Sequence, residues 1–351
     1  MDNKNIMFKN LNYKKIICFF SFLIFLNFSI ISCQDTKNNL NTNKKEWYFD
    51  YLNYNNLHKY ATGEGQSIAL IDSGISKFQD KLVDNKFSVI DENYYDTNGH
   101  GTIMASIIKG NNENLIGIAP NAKLISIKVL DSDGKIDPKY IKKALRTAID
   151  NNVNIINMSI GSYKSNNDII DLINEAIHKN IIVVSSSGDY GDVNLMFPAN
   201  INGVISVGAI DKNKQILKNS TAPNLTVINA PGKDILGVNL NNDLIYSSGT
   251  SQSTALITGY LALLLEVSNK NNKTLSNDDI IKFLGLIKKN DSSYLDLLKS
   301  IGSWFYEKYS FFNFSNFRFN NNFFINLLFS NNNSAAMHDF FDVIFYNRSF
   351  N

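Results

Sequence analysis

Cysteine, histidine and net charge are all scarce in this chain, and each scarcity excludes a class of protein. Two cysteines occur in 351 residues, Cys18 and Cys33. Cys18 lies inside an apolar N-terminal run, so a processed chain keeps no pair for a disulfide, and disulfide-stapled scaffolds are excluded. Four histidines are scattered along the sequence without the Cys/His clustering that a zinc site needs. Lys and Arg number 34 against 32 Asp and Glu, a formal net charge of +2. That balance makes no electrostatic case for nucleic acid as a partner. Hydrophobic residues are plentiful, 44% against 19% charged. At this length such a composition supports one large globular core with extensions.

Three short motifs carry candidate chemistry. Asp72 ends the apolar run Ser67-Ile68-Ala69-Leu70-Ile71-Asp72 and is followed by Ser73-Gly74, a turn signal. His100 sits in Asn98-Gly99-His100-Gly101-Thr102, ahead of a helix read over 102–108. Ser251 closes Ser248-Gly249-Thr250-Ser251, ahead of a helix read over 254–267 that is apolar nearly all round and hence buried. Alone, each has a bland reading: a turn aspartate, a surface histidine, a helix cap. Together they supply a carboxylate to orient an imidazole, an imidazole to take a proton, and a hydroxyl to attack a carbonyl. The order Asp, His, Ser is one of the three recurring orders of that constellation.

Further segments fall in a matching sequence. They are Leu115 to Ala122, Ile127 to Gly134, Ile155-Ile156-Asn157-Met158-Ser159-Ile160-Gly161, Phe197-Pro198-Ala199, Val204 to Ala209 and Asn229-Ala230-Pro231-Gly232. With the three motifs, they make the chain resemble the subtilisin-like serine proteases (subtilases, peptidase family S8) over about residues 47–288. The resemblance implies a three-layer α/β fold, a mostly parallel twisted sheet with helices on both faces. It implies the triad Asp72, His100 and Ser251. It also implies a substrate that lies as an extended strand beside Ser159, Ile160 and Gly161, with Ser186, Ser187 and Gly188 as the opposite wall of the primary pocket. Asp192 lies near the expected pocket base, where it either favours a basic side chain or is a solvated loop residue.

The family pattern breaks in three places. Its oxyanion-hole donor is an Asn, and here Ser187-Gly188-Asp189-Tyr190-Gly191 puts Asp189 at that position. An ionised carboxylate cannot donate a hydrogen bond and repels a developing oxyanion, whereas a protonated one can donate. The Ser251 backbone N–H remains as a second donor. Some family members of the proprotein-convertase type carry Asp here and still cleave. The reading is therefore a modified or slowed site, with a degenerate, peptide-binding fold as the alternative. After the nucleophile, Ala255 replaces the family's Pro, a good helix former in its place. The loop 110–114, where relatives hold a structural calcium, is short; its Asn and Glu oxygens suit calcium, but an Asn-rich surface turn explains them as well. No cofactor is required.

The N-terminus reads as a targeting segment. Lys4, Lys9, Lys14 and Lys15 precede the apolar stretch 16–31, and Ile30-Ile31-Ser32-Cys33 resembles a bacterial lipobox. Residues 1–32 are then a lipoprotein signal peptide. Cys33 becomes the lipidated anchor that holds the protein on the outer face of the cell membrane. An uncleaved membrane-spanning helix is the alternative. Residues 33–46 form a polar tether and 47–290 the peptidase domain; 291–351 form an aromatic and Asn-rich extension of unknown structure. No segment the size of a folding prodomain precedes Trp47. That omission is known among peptidases that remove leader peptides from lantibiotics. The expected protein is a membrane-tethered serine endopeptidase, narrowly a leader peptidase for an exported peptide or more broadly a surface protease. His58, His178 and His338 stand in no motif.

Overall fold

The structure, a computed structural model, describes residues 46–112 and 115–302. Helices α1 (Trp47–Leu52) and α2 (Tyr54–Leu57) lead into β1 (Ser67–Asp72), a 3-10 turn, β2 (Asn85–Ser88), α3 (His100–Lys109), β3 (Asn111–Asn112) and β4 (Leu115–Ile116). Then come β5 (Lys123–Lys128), α4 (Pro138–Asp150), β6 (Ile155–Met158), α5 (Asn167–His178), β7 (Ile182–Ser186), β8 (Ile205–Ile210) and β9 (Ile228–Pro231). The hairpin β10 (Ile235–Val238) and β11 (Leu244–Ser247) precedes α6 (Thr250–Lys270), α7 (Asn277–Lys288) and α8 (Tyr294–Gly302).

Seven strands form one sheet in the order β2-β5-β1-β6-β7-β8-β9, and every pairing in it is parallel. Along β1, Ile68 and Leu70 enter one core while Ala69 and Ile71 enter the other. That alternation requires cover on both faces. The first face carries α1, α2, α3, α6, α7 and α8, and the second carries α4 and α5. This is the three-layer α/β architecture expected. Chain order reverses about β1, which has β5 on one side and β6 on the other, so its carboxyl end is a switch point where such sheets bind ligands.

Helix starts follow their caps. The Asp137 side chain accepts from the Lys139 N–H with Pro138 in the first turn, and Asn166 accepts from the Ile169 N–H. Ser276 and Asp279 make a reciprocal capping box on α7. α6 is buried on every side along most of its length, running over β1, β6, β7, β8 and β9. Its far end is fixed by Glu266, 2% exposed, whose Oε2 accepts the backbone N–H groups of Thr62, Gly63 and Glu64 at 2.8, 2.6 and 2.9 Å.

Three elements differ from the reading of the sequence. Residues 229–231, whose Asn and Pro followed by Gly232 read as a turn, pair with β8 as the edge strand β9; Pro231 is tolerated because an edge strand has no outer partner to supply. β8 itself starts at Ile205, two residues after Gly203, where its β-rich apolar run begins in the sequence. The core also continues beyond residue 290 into α8. Tyr294, Leu295, Leu297, Leu298 and Ile301 are buried there, and the Tyr260 hydroxyl donates to the Tyr294 carbonyl at 2.7 Å. Cys33, the signal segment, the tether up to residue 45 and residues 303–351, with His338, lie outside the described residues. Among the described residues no helix is long and apolar enough to cross a membrane.

Candidate active site

The three motif residues gather at the carboxyl edge of the sheet, each placed by a separate element. Asp72 is the last residue of β1 and is fully buried. His100 is the first residue of α3, and Ser251 lies in the first turn of α6. α3 and α6 pack against one another. Both helices begin earlier than their apolar periodicity suggested, so the imidazole and the hydroxyl sit inside first turns, not before them. An amino-terminal helix dipole favours a developing negative charge at Ser251.

His100 Nδ1 lies 2.8 Å from Asp72 Oδ1 and 3.0 Å from Oδ2. A carboxylate only accepts, so Nδ1 carries the hydrogen and Nε2 is left free to take a proton. Asp72 Oδ1 also accepts the Ser73 N–H at 2.8 Å. Ser73 Oγ in turn accepts the Gly101 N–H at 2.8 Å, tying the His100 turn to the end of β1. Only glycine fits at 101: a Cβ there would lie 2.4 Å from the Gly74 carbonyl oxygen. The structure records no hydrogen bond between Ser251 and His100; such contacts are often loose without substrate and tighten on binding.

Asp96 is a supporting residue that the sequence reading passed over. Its Oδ1 accepts the N–H groups of Asn98 and Gly99, each at 2.8 Å, and its Oδ2 accepts the Thr102 N–H at 3.0 Å and hydroxyl at 2.5 Å. Four donors on one carboxylate lock the turn that carries His100. The signal was an Asp three residues ahead of a Gly-His-Gly. Burial pulls the His100 pKa down, but the charge and hydrogen bond of Asp72, with Asp96 and Asp189 adding, raise it above the ordinary histidine value. The side chain keeps 32% of its surface open to water, so the carboxylates decide the direction.

Asp189 stands beside the turn that carries Ser251. Its Oδ1 accepts the Thr250 N–H at 2.9 Å and the Asn219 amide at 3.4 Å. The side chain thus serves as an acceptor at the start of α6. A Cβ built on Gly249 would lie 2.9 Å from Asp189 Oδ2, so the chain passes close by. Burial of the carboxyl group raises the Asp189 pKa above the usual carboxylate value, against the hydrogen bond from Thr250 and the His100 charge, which lower it. The residue is itself solvent-exposed, which limits that rise.

The residues expected to form the two pocket walls differ in exposure. Ser159 and Ile160 are buried and Gly161 is exposed, while Ser186, Ser187 and Gly188 are buried. Asn157 joins the first wall to α6: its amide donates to Ser159 Oγ at 3.2 Å, and its Oδ1 accepts from the Thr258 hydroxyl at 2.8 Å. Asp192 is exposed and accepts the Tyr163 hydroxyl at 2.6 Å. It is a surface partner of Tyr163, in keeping with the loop reading. His58 Nε2 lies 3.0 Å from the Ile118 carbonyl and His178 ends α5, both far in sequence from the motifs. Among the described residues no group of three or more His, Cys, Asp or Glu could hold a metal ion; the 110–114 loop is described only in part.

Residues 63–291 match the subtilase family of peptidases. The chain belongs to the subtilase family. Among curated relatives, it is 33% identical over 223 residues to a thermostable alkaline protease of Halalkalibacterium halodurans, covering 62% of each chain. It is 32% identical over 228 residues to the minor extracellular protease Epr of Bacillus subtilis, covering 63% of this chain and 35% of that one. Subtilisin BL of Lederbergia lenta is 30% identical over 246 residues, 69% of this subtilase and 88% of the relative. This subtilase therefore spans less than two thirds of the length of the first two relatives.

Proposed function

We propose that this subtilase is a serine endopeptidase acting through an acyl-enzyme. The observation that carries the reading is the buried Asp72 carboxylate holding His100 Nδ1, with Ser251 in the adjoining first turn of α6. In this reading Ser251 Oγ bonds to the peptide carbonyl carbon as its proton passes to His100 Nε2. The carbonyl electrons move onto oxygen, facing the Ser251 N–H and Asp189. Collapse expels the amine, which takes the proton from His100, and water then repeats the sequence to release the acid. Asp72 keeps the imidazole in its acting tautomer. Side chains and backbone supply every group, so no cofactor enters. The substrate lies extended along Ser159, Ile160 and Gly161, with Ser186, Ser187 and Gly188 opposite.

The wider proposal is a peptidase domain that starts at residue 47 and whose core extends past residue 290 through α8, carried on a tether (33–46) from a lipidated Cys33 on the outer face of the membrane. Its substrate would be an exported peptide whose leader it removes, or surface proteins more generally. The alternative is a weakly catalytic peptide-binding protein, and the specific observation favouring it is that Asp189 accepts, not donates, at the start of α6.

A fluorophosphonate probe tests the central claim. Wild-type protein should be labelled at Ser251 and Ser251→Ala should not; absence of labelling on folded wild-type protein would favour the binding alternative. Palmitate labelling of cells tests the anchor, since Cys33→Ser should abolish incorporation and release the protein from the membrane fraction. Incubation with exported peptide precursors, read by mass spectrometry, separates leader removal from general cleavage.

A further inference from the structure

We infer that Met196 fills the slot between the two substrate-flanking walls and restricts cleavage to sites that follow a small residue, Gly, Ala or Ser. The inference rests on the proteolytic reading and names the substrate class of that site.

Three observations place the side chain. The Met196 N–H donates to the Ser187 carbonyl at 3.3 Å, and the next residue, Phe197, exchanges backbone hydrogen bonds with Ser162 at 2.9 and 3.0 Å. The 196–197 segment is therefore stitched to the second wall at one residue and to the continuation of the first wall at the next. The thioether then bridges the gap. A Cβ built on Gly161 would lie 3.3 Å from both Met196 Sδ and Cε, and one built on Gly188 would lie 2.5 Å from Sδ and 2.9 Å from Cγ. Met196 is 4% exposed, so the volume between the walls is already occupied. Gly188 has φ +107°, a conformation that side chains rarely adopt, so the slot cannot be reshaped from that wall by an ordinary residue. A substrate side chain of the size of Leu or Phe would need the space that Cγ, Sδ and Cε hold, whereas Gly, Ala or Ser would not.

The test compares wild type, Met196→Gly, Met196→Ala and Met196→Leu on a randomised peptide library, with the residue before each cut identified by mass spectrometry. Wild type and Met196→Leu, which keep the slot filled, should cut after Gly, Ala and Ser. Met196→Gly should gain about ten- to two-hundredfold in kcat/KM for Leu and Phe relative to Ala, the range that pocket methylenes command. Met196→Ala should shift the same way and stands in if the glycine variant fails to fold. Wild-type cleavage after Phe or Leu as readily as after Ala, or no shift in either small variant, would overturn the inference. Cleavage by none of the proteins would overturn the proteolytic reading instead. The slot is then read separately, by equilibrium binding of short peptides ending in Ala or Phe to the Ser251→Ala protein with and without Met196→Gly. Tighter binding of the Ala peptide, reversed by the glycine, would support the inference, and equal binding would refute it.

Discussion

Asp189→Asn is the most informative perturbation of this site. The two side chains have the same shape, so Oδ1 can keep the Thr250 N–H at 2.9 Å and the Asn219 amide at 3.4 Å. Only the second oxygen becomes an NH2 donor. In a subtilisin, losing a donor at the oxyanion costs about a hundred- to a thousandfold in kcat, or about 2.7–4 kcal/mol. Supplying one here should return a gain of that order, with KM little changed because the donor acts mainly on the transition state. The assay is kcat and KM on a fluorogenic peptide, normalised by burst titration of Ser251. The pH profile adds a second arm. Asp189 can donate only while protonated, a form lost as pH rises through its raised pKa. His100 can act as base only while neutral, a form gained as pH rises through its own raised pKa. The wild type should therefore give a low, bell-shaped profile. The Asn variant should lose the alkaline limb and rise to a plateau. An unchanged rate at equal burst, or the same alkaline limb in both proteins, would refute the reasoning.

Asp72→Asn should lower kcat about ten-thousandfold near neutral pH, because an amide N–H facing Nδ1 favours the wrong imidazole tautomer; an active variant of unchanged melting temperature would count against the orienting role. A chain ending at Asp291 should fail to fold or melt far below one ending at Gly302. It strips Leu295, Leu297, Leu298 and Ile301 from the core, at about 1.5–3 kcal/mol for each buried side chain, against about 5–15 kcal/mol for a whole domain. Equal melting temperatures of the two chains would show that α8 is dispensable. Tyr260→Phe should lose about 0.5–1.5 kcal/mol by removing the 2.7 Å bond to the Tyr294 carbonyl, measurable by chemical denaturation.

The layered sheet was legible because its strands are nearly continuous apolar runs and its helices repeat with helical period. Ser67-Ile68-Ala69-Leu70-Ile71 can hardly be anything but a strand covered on both faces. The three motifs were legible because each pairs a reactive side chain with glycine. What escaped was set by tertiary partners. Asn229-Ala230-Pro231 carries turn residues, and only the neighbouring β8 makes it a strand. α8 is short and follows a polar run, Lys288 to Ser293, so its Tyr and Leu read as part of an aromatic tail until Tyr260 is seen across from them. The anchoring by Asp96 and the plug by Met196 depend on contacts between segments that no local pattern encodes. Asp189 was recognised as a departure, but its engagement with the Thr250 N–H required the fold.

The helix that presents Ser251 has almost no outward face. A saturation scan along 250–268 should accordingly show intolerance at nearly every position, without the three-to-four-residue rhythm of tolerance that surface helices display. Inheritance of this protein by drift would then leave a nineteen-residue block almost unchanged while neighbouring loops diverge. Redesign of the site would have to reach Ser251 from the segments around it, never through the rod that carries it.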